Sequence, residues 1–396
     1  MDYLQQSRGF KLRKAIRYIG MYGPRRTFVK IQGQYHMKRR FEVLPRPDTK
    51  LRSQHRVAIV GCGNYAYSNI SYFLNKRFGP VIGACMDIDI HRAVSLAKSY
   101  RIPYFTSNFN DLLKLQQLDL FYIASNHASH AEYAIAALDS GKHVYIEKPH
   151  VVTEDQLERL LDAMRRNPKQ RVWLGFNRPG SRFGLLIKQA LDAEQGSAMY
   201  NWFVAGHEID PNHWYFKPEE GGRVLGNLCH WSDAVLRQAG QDNYPISVRP
   251  ARASNSDSDI AVTYSFADGS IGVISFSAKG HAFEGVKERF SAHKGNCMIA
   301  MNDYRTLTID VVEKKRRYIN LFRDHGHARN IMRAYADLLT GVPDDPEPQR
   351  EYVWNTGMLI LKTKEALETD QETTIESYRN TMKRLQANHR EQVVTS

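Results

Sequence analysis

Cysteine is scarce in this chain. Cys62, Cys85, Cys229 and Cys297 are scattered through 396 residues, with no Cys-x-x-Cys pair and no metal-ligand spacing. That excludes a disulfide scaffold and a zinc module, so no metal is expected, and thiols in a reducing compartment are. Long apolar runs are missing too, and nothing approaches the roughly 20 residues that span a bilayer. The chain does not open on an apolar core followed by a small-residue cleavage site, so a cytoplasmic protein is the expectation. Acidic residues are scarce only at one end. Residues 1–55 carry 14 Lys and Arg against Asp2, Glu42 and Asp48, whereas the rest carries 41 against 39. The formal net charge of +13 therefore belongs to an N-terminal arm, and no nucleic-acid partner is expected for the body.

What is present is centred on Arg56–Ala66. Val57-Ala58-Ile59-Val60 reads as a strand buried on both faces, as in a parallel sheet. It runs into Gly61-Cys62-Gly63-Asn64-Tyr65-Ala66, after which Ile70, Phe73 and Leu74 fall on one helical face. Gly61 permits a tight turn, Gly63 a close approach to a pyrophosphate, and Ala66 close packing of helix on strand. The pyrophosphate would rest on the N-terminus of that helix. Asp87 ends the next strand, 80–86, where a carboxylate can bind the adenosine ribose; Asp89 could equally cap the following helix. NAD is expected, with NADP left open because His91 and Arg92 could meet a phosphate.

Further strands are expected at 118–124, 143–146 and 171–175. Ser129 and Glu132 form a capping-box pattern, and Thr153 with Gln156 opens another helix. From Asn177 the rhythm changes. Strand patterns at 198–205, 259–266, 270–277, 296–301 and 305–311, with a turn at Asp268-Gly269, are joined by helical patterns at 228–239, 327–340 and 353–368. An α/β protein is expected: an N-terminal Rossmann domain, 56–176, and a C-terminal α+β domain, 177–396, on an open, mostly antiparallel sheet. The arm and linker, 1–55, hold one helix, Lys11–Gly20, stopped at Gly23-Pro24. Its Leu12, Ile16 and Ile19 lie opposite Arg13, Lys14 and Arg17. That suits the inner face of an anionic membrane or, alternatively, another subunit.

Lys148 ends the strand before Pro149, at the sheet edge where α/β folds bind ligands. A lysine buried beside a cofactor can share proton transfer. The Gly61–Ala66 turn, Ile123–Glu132, Gly141-Lys142-His143-Val144 through Glu147-Lys148-Pro149, and Gly175-Phe176-Asn177-Arg178 together resemble the Gfo/Idh/MocA family, over roughly residues 56–375. The resemblance implies NAD(P)-dependent oxidation or reduction of a sugar, polyol or nucleotide-linked sugar, in a setting such as surface-polysaccharide biosynthesis, and a homo-oligomer (dimer or tetramer) formed through the C-terminal sheet. It implies cofactor contacts at Ser125, Asn126, His127, His130, Glu147 and Lys148, and a catalytic pair, Lys148 and His230. Substrate contacts would come from Arg178, His213, Trp214, Asn227 and Asp233. Many members carry an aspartate four residues before the histidine, where this chain has Gly226. The alternative is a non-catalytic NAD(H)-binding sensor on the same fold.

Overall fold

The computed structural model describes residues 3–384 apart from 241, 253–257, 282, 284 and 342–344. The chain forms two compact units. One comprises 1–181, 217–220 and 320–346; the other comprises 182–216, 221–319 and the residues from 347 on. Among the described residues no helix is long and apolar enough to cross a membrane.

The first unit opens with two helices, α1 (Arg8–Tyr22) and α2 (Pro24–His36). The single arm helix read from the sequence is thus followed by another. Proline cannot continue a helix, but its fixed φ suits the first position of a new one, and Pro24 occupies that position in α2.

The Rossmann sheet follows: β1 (Val57–Val60), β2 (Ile82–Met86), β3 (Tyr104–Thr106), β4 (Leu120–Ile123), β5 (His143–Ile146) and β6 (Val172–Leu174). The spatial order is β3-β2-β1-β4-β5-β6, and every neighbouring pair is parallel. Every residue of β1 and β4 is buried, which requires helices on both sheet faces. A π-type turn, Ala66–Ser71, leads into α3 (Tyr72–Phe78); α4 (Ile90–Tyr100), α5 (Phe109–Leu113), α6 (His130–Asp139) and α7 (Glu154–Arg166) complete the wrapping. The helix His327–Thr340 returns to this unit and adds Ile331, Ala334 and Tyr335 to its core. It is pinned there: Tyr122 donates to the Ile331 carbonyl at 2.7 Å, and Asn330 to the Tyr145 hydroxyl and Leu174 carbonyl at 3.1 Å. The order reverses between β1 and β4, so the loops after these two strands border the crevice where such sheets bind ligands.

The second unit is built on a nine-stranded sheet of β7 (Ala198–His207), β8 (Ile246–Arg252), β9 (Asp259–Ser265), β10 (Ile271–Gly280), β11 (Lys287–Lys294), β12 (Cys297–Asn302), β13 (Thr306–Val311), β14 (Lys314–Ile319) and β15 (Thr373–Ile375). Only β7 and β10 pair in parallel; the other neighbours are antiparallel. The Asp268-Gly269 turn joins β9 to β10 as expected, with Gly269 at φ 83°. Strict alternation sends Tyr200, Trp202, Val204, Ile274, Phe276 and Phe290 into the core. Besides α8 (Arg182–Asp192) the unit holds α9 (Cys229–Ala239) and the long helix Glu347–Thr369. α9 packs on β7 and β10, and the long helix on β8. The opposite face leaves Met199, Phe203 and Met298 half-exposed or more.

Candidate functional site

β1 delivers the glycine-rich turn to the switch point. Gly61 has φ 88°, and a Cβ there would collide with the backbone of Ala124 and Ser125 at the end of β4. Only glycine meets both demands. A Cβ on Gly63 would meet nothing within 4 Å, so this backbone faces open space, while Ala66 is wholly buried. Room over Gly63, at the start of a helical segment, fits a dinucleotide pyrophosphate. Asp87 is buried beneath the turn. One carboxylate oxygen accepts the Cys62 N–H at 2.8 Å, the other the Asp89 N–H at 2.9 Å. Burial pushes its pKa up. The cap of α4 is Asp89, which accepts the His91 N–H at 3.1 Å. Asp87 thus braces the turn and has spare lone pairs for a ribose hydroxyl.

After β4 the expected capping box does not form. The Ser129 hydroxyl is taken by Asn126 and Ser125, and Glu132 pairs with Arg159 at 2.7 Å and Gln156 at 3.1 Å. A residue outside the sequence reading organises this loop. Buried Glu220 accepts the Asn126 amide at 2.7 Å and the Ala128 N–H at 3.2 Å, and its carbonyl accepts His127 Nδ1–H at 2.8 Å. The available signal was an acidic pair, Glu219-Glu220, abutting Gly221-Gly222. His130 is also buried. Its Nδ1 lies 2.7 Å from the Pro149 carbonyl and its Nε2 3.2 Å from the Ser125 carbonyl. Burial pulls its pKa down to about 4, and the single N–H of a neutral imidazole donates to one of these two carbonyls at a time.

At the end of β5, Glu147 turns into the unit. Its carboxylate accepts the Tyr145 hydroxyl at 3.0 Å and the Lys148 N–H at 3.3 Å, and burial raises its pKa. Gly175 passes so close that a Cβ there would lie 2.8 Å from this carboxylate. Lys148 itself is half-buried at the sheet edge and joins Pro149 through a cis peptide. Tyr65 meets His327 Nδ1 at 3.2 Å; burial and then the Glu147 charge push its hydroxyl pKa up. Arg178 is buried with its guanidinium 3.3 Å from Asn177 Oδ1.

The second unit holds the remaining candidates. His230 lies half-buried in the first turn of α9, after a π-type turn, Val224–Leu228. The Tyr215 hydroxyl donates to Asn227 Oδ1. The Tyr215 ring stands against Gly226, where any Cβ would overlap it. Asp233 is wholly buried and accepts the Tyr352 hydroxyl at 2.7 Å, which makes it a brace between α9 and the long helix. His213 and Trp214 are exposed, with ring centroids 5.5 Å apart.

The arm adds residues that the sequence did not assign to any site. His36 is buried, donating from Nε2 to the Cys62 carbonyl at 2.7 Å and accepting from Ser95 Oγ at 2.8 Å. Arg26 reaches the Ser68 carbonyl and, at 2.8 Å, Asn69 Oδ1. Arg40 pairs with Asp89 at 3.2 Å. α2 and the residues after it therefore clasp the glycine-rich turn and the start of α4.

Residues 55–176 match the family described as an oxidoreductase family with an NAD-binding Rossmann fold, Gfo/Idh/MocA. Inositol 2-dehydrogenase of Salmonella typhimurium is 26% identical over 182 residues, covering 40% of this chain and 54% of the relative. The chain thus spans about half the length of that curated relative. Among solved structures, an oxidoreductase domain protein from Kribbella flavida superposes with TM-score 0.69 at 18% identity, over 81% of this chain and 99% of the other. A levoglucosan dehydrogenase in complex with NADH and L-sorbose does so with TM-score 0.66 at 17% identity, over 81% and 99%. The matched segment carries the strand order, the turn and the Glu147-Lys148-Pro149 run described above. Over residues 55–176 the chain is similar to the Gfo/Idh/MocA oxidoreductases, a family with an NAD-binding Rossmann fold.

Proposed function

We propose that the protein is an NAD(P)-dependent dehydrogenase of a sugar or polyol, free or nucleotide-linked. The observation that carries this reading is one edge of the Rossmann sheet: β1 ends there in a turn with open space over Gly63, and β5 ends there in Lys148. The nicotinamide cofactor, when bound, supplies the hydride chemistry. Gly61, Gly63, Asn64, Tyr65 and Ala66 would hold its pyrophosphate, Asp87 its ribose, and the Ser125–His127 loop, fixed by Glu220, its other end. Lys148 and His230 would move the proton of the reacting hydroxyl, with Arg178, His213, Trp214 and Asn227 as substrate contacts. The names of two relatives support a polyol or sugar substrate.

The test is nicotinamide absorbance with a panel of inositols, hexoses and nucleotide sugars. Lys148→Ala and His230→Ala should each lower turnover about 10²–10⁴-fold, the range of general acid–base groups, with cofactor affinity little changed. Acting as one relay, the two should lose much less together than the product of the single losses. Gly63→Val should abolish cofactor binding. Full turnover in either single variant would remove the relay and leave an NAD(H)-binding sensor.

A further inference from the structure

Beside the glycine-rich turn lies a cavity of about 350 Å³, within the range of small-molecule sites, roughly 300–1,000 Å³. α1 and α2 line one side with Lys14, Tyr18, Lys30 and Gln34; Asn64, Tyr65, Ser68 and Asn69 line the other. Among the described residues no carboxylate lines it.

The two lysines have an unusual setting. Lys14 Nζ lies 5.8 Å from the Tyr3 ring centroid and 5.7 Å from that of Tyr18; Lys30 Nζ lies 4.9 Å from that of Tyr22. Among the described residues neither is within ion-pair distance of an acid. Arg26, one turn before Lys30, adds a third cation and is committed to Ser68 and Asn69. Burial, then Arg26, pulls the Lys30 pKa down to about 8, and burial lowers that of Lys14. Both are half-buried, and cations withdrawn even in part from water ordinarily have a paired anion. Here ring faces stabilise them only in part, and among the described residues their N–H donors have no charged acceptor.

We propose that this cavity binds a phosphate-bearing ligand, with Lys14 and Lys30 as its counter-ions and Gln34, Asn64, Ser68 and Asn69 orienting its oxygens. Two ammonium groups with amide and hydroxyl donors, in a site whose described lining holds no carboxylate, complement a polyanion better than a sugar hydroxyl or a single carboxylate. The phosphate has two sources: the pyrophosphate of a dinucleotide on the adjoining Asn64-Tyr65 turn, or a separate phosphorylated molecule.

The full chain is titrated with inorganic phosphate and with pyrophosphate, with and without saturating NADH, by calorimetry and thermal shift. Both anions should bind and raise Tm, and Lys30→Met and Lys14→Met should each weaken binding about tenfold or more, the loss expected for one charge-assisted contact. An unliganded Tm equal to wild type shows that each variant is folded; Lys30→Gln serves if Met perturbs it. If anion binding persists under NADH, the ligand is a separate phosphorylated molecule. If NADH abolishes it and the lysine variants weaken NADH equally, the ligand is the cofactor's own phosphate. If neither anion binds at millimolar concentration and the variants leave NADH affinity unchanged, the proposal is overturned. Because phosphate is titrated without a sugar, this failure is separable from failure of the dehydrogenase reading.

Discussion

Position 226 has no side chain because the Tyr215 ring stands where one would begin. Alanine would ordinarily gain about 1 kcal/mol over glycine in a helix, but forcing an atom into a packed ring costs about 1–3 kcal/mol. The overlap should win. Gly226→Ala is expected to destabilise the protein by about 1–2 kcal/mol in urea unfolding, and the cost should vanish or reverse in a Tyr215→Ala background, a coupling that neighbouring residues show. An equal cost in both backgrounds would mean that the close approach is not why glycine is there. This also accounts for the departure from the family pattern. An aspartate at 226 could not coexist with Tyr215 as placed, and the hydroxyl bonded to Asn227 occupies that ground instead.

The arm shows what a helix can and cannot declare in sequence. α1 was legible from the spacing of Leu12, Ile16 and Ile19, and those residues are exposed. The docking of α2 was not legible, because its partners are distant in the chain: His36 meets Cys62 and Ser95. Charge did not reveal this docking either: Arg26, Lys30 and Arg40 count toward the basic excess of the arm, yet they face named partners or a cavity. The Rossmann strands were legible because each is a short apolar run. β14, Lys-Lys-Arg-Arg-Tyr-Ile, escaped because it is an edge strand, where lysines and arginines guard against pairing with another sheet. Glu147 was legible as part of a motif, but its inward turn toward Tyr145 was not. Should the arm be a clasp, His36→Ala is expected to cost about 1–3 kcal/mol, the range for stranding buried partners, and a chain starting near Gln54 should bind NADH more weakly. Unchanged stability together with unchanged NADH affinity would make the arm a passive extension.

Across the molecule, the second unit presents a sheet face on which Met199, Phe203 and Met298 are exposed, and we propose that a second copy covers it. Phe203→Arg with Met298→Arg should lower the mass found by light scattering to that of one chain, with circular dichroism unchanged. A wild type that is already a single chain at micromolar concentration would refute this. For exposed Leu12, Ile16 and Ile19 on α1 we propose a separate contact, with anionic lipid or another subunit; liposome flotation of the wild type and the shortened chain separates the two. The chain order of the Rossmann unit has its own outcome on the ribosome. Its last helix, His327–Thr340, supplies Tyr335 and Ile331 to the core and holds Tyr122, Tyr145 and Trp173, yet the 138 residues from 182 to 319 are, apart from 217–220, made for the other unit first. At about 5–20 residues per second, a nascent Rossmann sheet would wait on the order of ten seconds or more with those aromatic groups uncovered, so this protein should depend on a chaperone during synthesis more than after it.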